Sequence, residues 1–102
     1  MAKAYWVASV DVNDSERYKQ YLRENAAAFR KYGGKFLVRG GEQDLVEGKL
    51  RGRIAVIEFE DYASAIACYR SPEYSAAKPH RTESAFSDIV IVQGYDGPQP
   101  TD

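Results

Sequence analysis

The sequence predicts an α+β domain in which four strands form one antiparallel sheet with helices on a single face. Three observations predict it. Strand-like and helix-like apolar runs follow one another in the order strand–helix–strand–strand–helix–strand. Glycine and proline punctuate the boundaries of those runs. Of the 102 residues, 44% are hydrophobic and 28% charged, enough for one core that needs neither disulfide nor metal.

Residues 3–12, KAYWVASVDV, read as the first strand, being β-branched and aromatic and free of Gly and Pro. The even set, Ala4, Trp6, Ala8, Val10 and Val12, is wholly apolar; the odd set, Lys3, Tyr5, Val7, Ser9 and Asp11, is mixed. A helix follows. Asn13 is placed to cap it, with Glu16 three residues on completing a capping box. Tyr18, Leu22, Ala26 and Phe29 form its apolar stripe, with Tyr21, Asn25 and Tyr32 alongside. Arg30 and Lys31 suit the negative end of the dipole, and Gly33 or Gly34 supplies a left-handed stop. Residues 35–39, KFLVR, are the second strand, ended by Gly40-Gly41. Asp44-Leu45-Val46 is a candidate short extension, before turn signals at Gly48 and Gly52. Residues 53–60, RIAVIEFE, form the third strand, and Asp61 caps a helical stretch from Tyr62 to Tyr69. Ser71-Pro72 breaks that stretch and restarts a turn, which continues from Glu73 to about Ala77 and which Pro79 limits; residues 80–86 are ambiguous. Residues 86–93, FSDIVIVQ, are the last strand. Residues 1–96 read as a single domain and 97–102 as a polar tail.

This order is the split βαβ pattern of ferredoxin-like folds. With strands ordered 4-1-3-2, right-handed crossovers put both helices on the same face. The other face should then be polar, and it is not. Tyr5 and Val7 oppose Trp6 and Ala8; Ile54 and Val56 oppose Ala55 and Ile57; Ile89 and Ile91 oppose Val90 and Val92. At about 25 cal/mol per Å², covering a patch of several hundred Å² contributes on the order of 10 kcal/mol before association costs. The expected partner is a second copy, packed open face to open face; the alternative is a further helix, with the tail or residues 42–51 of the same chain covering that face.

Lys plus Arg number 14 against 15 Asp plus Glu, a net charge of -1 that argues against a nucleic-acid partner. Cys68 is the only cysteine, so neither an internal disulfide nor a multi-Cys metal site is expected, and it reads as a small buried apolar residue. No apolar run approaches the roughly 20 residues that span a bilayer, the N-terminus lacks a full signal-peptide apolar segment, and a cytoplasmic protein without a membrane partner is the default. No phosphate-binding glycine loop or nucleophile elbow is present, and no metal or cofactor is expected.

The apolar sets assign Trp6, Ala8, Val10, Phe36, Val38, Ala55, Ile57 and Phe59 to the helix-facing core. Tyr5, Val7, Ser9, Asp11, Leu37, Arg39, Ile54, Val56 and Glu58 fall to the open face. Arg39 and Glu58 stand out there. Buried charges must pair, so they form either a structural ion pair that fixes dimer register or a site, with Arg39 anchoring a carboxylate or enolate and Glu58 as general base. The second group is Tyr69, Tyr74 and His80 on the broken helix. The tyrosines can pack on the sheet or hold an aromatic or carbonyl ligand. His80, the only histidine, is either an exposed loop residue or a proton shuttle or haem ligand. Glu58 and His80 are thus the weak catalytic candidates; Arg39, Glu58, Tyr69, Tyr74 and His80 are the ligand-binding ones.

The run G-G-K-F-L-V-R-G-G (33–41), Glu47-Gly48, V-I-E-F (56–59), Y-R-S-P-E-Y (69–74) and Pro79-His80-Arg81 together resemble the domain-of-unknown-function 1330 family, from Tyr5 to Gly94. The resemblance implies a dimeric α/β barrel. It places the chain in a superfamily of cofactor-free monooxygenases, small isomerases, haem enzymes and ligand-binding regulatory domains. Where the family often has Trp before the tyrosine of the second helix, this chain has Cys68, so a pocket wall supplied by that indole is smaller here or filled from elsewhere. Three functions stay open. One is a homodimeric small-molecule-binding domain, extending to a cofactor-independent enzyme on a small organic acid or carbonyl compound. The others are a non-catalytic ligand sensor and a purely structural dimerisation module.

Overall fold

In the computed structural model, which describes residues 2–102, the chain runs β1 (Ala4–Val12), α1 (Ser15–Tyr32), β2 (Lys35–Arg39), β3 (Arg53–Phe59), α2 (Tyr62–Tyr69), α3 (Pro72–Thr82) and β4 (Ala85–Gln93). The strands form one sheet in the order β2-β3-β1-β4, every neighbouring pair antiparallel. This is the expected ferredoxin-like arrangement, with three helices rather than two on the covered face.

Strand alternation sorts the side chains as the sequence requires. Ala4, Trp6, Ala8, Val10, Ala55, Ile57 and Phe59 are buried beneath the helices, joined by half-buried Ile89 and Ile91. Trp6 is the hub. Its indole Nε1 donates to the Ala65 carbonyl of α2 at 2.9 Å. Its ring meets Phe29 of α1, Tyr69 of α2 and Tyr74 of α3 edge-on, at centroid distances of 5.2, 5.6 and 4.9 Å. One side chain thus locks all three helices to the central strand.

The partition fails at β2. Phe36 pairs with Ile57 but Val38 with Val56, so Leu37 is the extra residue of a bulge. A one-residue slip sends every later side chain to the opposite face. Val38, assigned to the core, therefore lies on the open side and is exposed; Arg39, assigned to the open side, turns to the helix side and stacks on the Phe36 ring, 4.3 Å from its centroid.

Two helix boundaries also differ from expectation. Asp14 caps α1, accepting from the Arg17 amide, while the Asn13 amide donates to the Ser84 carbonyl and ties the junction to the end of α3. Gly33, at φ 75°, ends α1 in the left-handed conformation that a side chain would resist. Further on, α3 continues through Pro79 to Thr82. Tyr74, Ala77 and Arg81 are buried at helical spacing, whereas Pro79 and the Ser75 carbonyl that loses its donor lie on the exposed side. The Ser84 hydroxyl then donates to the His80 and Arg81 carbonyls and closes the last turn. Asp44-Leu45-Val46 forms no strand: it extends beyond the sheet, exposed and without a neighbour to pair with.

Three acidic groups tie the frame together. The Ser64 amide holds Asp61, and the Gly52 amide Asp11, below the ordinary 3.8; Glu73 is held below 4.5 by its own amide and by Lys31. Because these values are lowered on folding, the stability they contribute is complete above the ordinary values and is lost as pH falls through the lowered ones. Asp61→Asn, which keeps the capping oxygen but not its charge, should be less stable than wild type in urea unfolding at neutral pH, and the difference should close as pH falls below 3.8.

Candidate functional site

The structure does not gather the sequence-derived candidates into one place. Glu58 lies on the open face and pairs with Lys3 at 2.8 Å, not with Arg39. Arg39, flipped by the bulge, is exposed on the other side of the sheet. Tyr74 is fully buried, its hydroxyl 2.7 Å from that of Tyr21. Tyr69 packs on Trp6 and Tyr74. His80 is no loop residue: it sits half-buried on α3, facing α1. Arg17 Nε donates to its Nδ1 at 3.0 Å, and its Nε2 lies 2.9 Å from Glu24. Since the Arg17 nitrogen always carries hydrogen, Nδ1 supplies a lone pair and Nε2 the proton that Glu24 accepts. Both nitrogens are occupied in clamping α3 to α1.

A different set converges beneath the helices. A cavity of about 30 Å³ lies between α1, α3 and the covered face of the sheet. Trp6, Phe29 and Phe36 give it aromatic walls; Tyr18, Tyr21 and Asn25 of α1, Arg53 of β3 and Arg81 of α3 line it with polar groups. The volume admits about two water molecules. Leu22, Phe36 and Arg53 are half-buried, so the cavity approaches the surface along that side.

The charges in this lining are one-sided. Arg81 is only 7% exposed, yet among the described residues no carboxylate pairs with it; its one side-chain hydrogen bond runs from Nε to the Tyr74 hydroxyl at 3.3 Å. Arg53 forms no ion pair either, and its buried Nε has no acceptor. A guanidinium shielded from water without a counter-charge loses solvation that hydrogen bonds and ring faces must replace. Ring faces supply part of the compensation: Tyr21 stands 5.9 Å from the Arg81 guanidinium and Tyr18 5.7 Å from that of Arg53. Burial pushes the Tyr18 and Tyr21 phenols up, Tyr21 well above its ordinary value, so both stay protonated, and the Tyr21 hydroxyl is engaged with that of Tyr74. The lining holds two cations, two phenols and an amide, and no acid, imidazole or thiol.

The family model described as a domain of unknown function, DUF1330, matches residues 3–95. The chain belongs to the DUF1330 family. No curated protein matches it. Among solved structures it is similar to the RPA0582 protein of unknown function from Rhodopseudomonas palustris, at 19% identity and TM-score 0.74, covering 94% of this chain and 85% of that one. SnoaB, a cofactor-independent oxygenase from Streptomyces nogalater, is 12% identical with TM-score 0.63 over 97% of this chain and 96% of its own. A putative antibiotic biosynthesis monooxygenase from Nitrosomonas europaea is 20% identical with TM-score 0.57, over 95% and 98%. At these identities the likeness is one of fold.

Within this DUF1330 domain, the groups that sequence reasoning missed are Arg53, Arg81, Tyr18, Tyr21 and Asn25. The signal was there: Tyr18, Tyr21 and Asn25 fall on the inner stripe of α1, and Arg81 follows Tyr74 at helical spacing once α3 is allowed to pass Pro79. Cys68 is buried as expected, and burial pushes its thiol up to about 12. It should resist thiol reagents in the native protein at neutral pH and react only on unfolding, read by titrating free thiol with and without denaturant.

Proposed function

We propose that this chain is a homodimeric domain that binds a small organic anion in the cavity between its helices and sheet. Any turnover there acts on an organic acid or carbonyl compound without a cofactor. The observation that carries the reading is the buried Arg81 guanidinium without a counter-charge. A carboxylate supplies that charge and matches the guanidinium fork in two parallel hydrogen bonds. Arg53, whose Nε lacks an acceptor, can take a second oxygen, and the ring walls suit a flat or branched apolar body. Leu22, Phe36 and Arg53 are the half-buried residues that shift to admit it.

The chemistry this set supports is stabilisation of negative charge on a carboxylate or enolate, because two cations and two protonated phenols line the same cavity. SnoaB, named a cofactor-independent oxygenase, uses a similar scaffold, which fits the cofactor-free reading. The lack of a base among the lining residues favours, as a second reading, a ligand sensor with no turnover.

The homodimer rests on the second face of the sheet. Tyr5, Val7, Ile54 and Val56 are half-buried there, while Val90 is 55% and Val92 45% exposed. The radius of gyration is 14.4 Å and the chain measures 46 × 34 × 16 Å, thin across the sheet. A compact domain of this length has a radius nearer 13 Å, roughly. A second sheet laid on this face supplies the missing layer.

Thermal-shift screening against small carboxylates and carbonyl compounds tests the site. Carboxylates should raise the melting temperature of wild type, and Arg81→Met should abolish that response. Without ligand, Arg81→Met should melt a few degrees higher, about 4–8 °C for each kcal/mol recovered by removing an unpaired buried charge. A variant that melts lower and still binds the same carboxylates makes Arg81 structural and overturns the proposal.

A further inference from the structure

Residues 40–52 join β2 to β3 as an arm in which every residue from Gly40 to Leu50 is exposed. Its apolar side chains face water: Val46 is 81% exposed, with Leu45 and Leu50 more than half-way to solvent or at it. An arm of this composition would ordinarily collapse onto its own body. Hydrogen bonds hold its base. The Gly40 amide donates to the Ile54 carbonyl at 2.8 Å, and the Gln43 side-chain amide spans the base of the arm to the Gly52 carbonyl, also at 2.8 Å. Gly40 and Gly48 take φ of 67° and 81°, left-handed turns that let the chain fold back. At Gly40 a side chain would also collide with the Arg53 guanidinium.

The root of the arm lies on the open face of the sheet. The Arg51 amide donates to the Ser9 hydroxyl, and its guanidinium bridges Asp88 at 2.9 Å and Asp11 at 3.1 Å. Ser9, Asp11 and Asp88 all occupy open-face positions in the β1–β4 register. Leu50 closes one end of a hollow of about 360 Å³ lined by Val7, Ile54 and Val90. The arm therefore leaves the body from the face that lacks cover, but Leu45 and Val46 extend past it. Charge points the same way. Glu42, Asp44 and Glu47 outnumber Lys49 on the arm and form no ion pair among the described residues, and neither does Lys35 on the open side of the edge strand β2.

We infer that the arm docks on a second copy of this chain, Leu45 and Val46 packing over the rim of the open sheet face there, with the arm's acids towards the β2 edge that carries Lys35. The inference rests on the homodimer reading above. Twofold symmetry makes the contact twice, each subunit giving one arm and receiving one. Two apolar surfaces that each subunit leaves wet are then covered by one assembly step.

Val46→Cys in the full chain tests it, since Val46 touches nothing in its own subunit's core and buried Cys68 leaves the introduced thiol as the reporter. Labelling with a maleimide should slow by about tenfold or more as protein concentration passes the dimer dissociation constant found by sedimentation, and Val46→Asp should weaken the dimer by about tenfold while keeping the wild-type circular dichroism. A wild-type dimer whose introduced thiol labels equally fast at every concentration, and which Val46→Asp leaves intact, overturns the arm contact and leaves the homodimer standing. Protection that is already complete in dissociated subunits means the arm folds back on its own sheet, and also overturns it. A wild-type chain that stays monomeric at every concentration overturns the homodimer reading and the arm contact together, and gives the face to another protein.

Discussion

A twisted four-stranded sheet has two faces, and each strand sends alternate side chains to both. Here both sets are apolar through the middle of β1, β3 and β4, and the crossover connections deliver helices to one side only. Trp6, Ala8 and Ile57 find Tyr74, Phe29 and Ala65 above them; on the other face Val7 and Val90 share an open hollow with Leu50, and no helix lies over them. Hydrophobic burial is non-directional, so the second face imposes no particular partner chemistry beyond shape. An apolar face of this kind favours burial. The position of the β2–β3 arm, rooted by Arg51 on that face and open to solvent at its tip, is the same demand seen from the loop rather than from the strand.

The covered face carries a different tension. A layer built round Trp6 and five other rings could have been wholly apolar, yet Arg81 is carried into it on α3 and Arg53 reaches it from β3. Natural cores tolerate a buried cation where something answers its charge. Ring faces and the Tyr74 hydroxyl answer part of it, and the small cavity between the guanidiniums and the α1 phenols marks where the rest is missing. The helices that hold these groups are themselves clamped by charge: Arg17 reaches from α1 to His80 and to Glu83 at 3.2 Å, and His80 reaches back to Glu24. The residue next to Arg81 is thus fixed from both sides, so the guanidinium is presented by a rigid turn and not by a loop.

Much of this was legible from residues alone. The parity of β1, β3 and β4, the stripe on α1, the Asp61 cap and the Ser71-Pro72 restart each follow from local rules, and each recurs in the structure. The failures share a cause. Pro79 reads as a stop because its ring and missing amide weaken a helix locally, but Tyr74 and Ala77 gain more by burial than one hydrogen bond to an exposed carbonyl costs. Val38 and Arg39 exchange faces because Leu37 is bulged, and a bulge depends on how two strands meet. Arg39 and Glu58 looked paired only while that extra residue was invisible.

By itself, the sequence determined the order of the elements, the side of the sheet the helices take and the apolar excess on the other side, because periodicity and crossover handedness are properties of short stretches of chain. Only the tertiary structure decided which charges share a space. Arg53 and Arg81 stand 28 positions apart in sequence, and nothing in either neighbourhood announces the other; the packing of α3 against α1 over a particular strand register brings them to one cavity and leaves Arg39, Glu58 and His80 to other work.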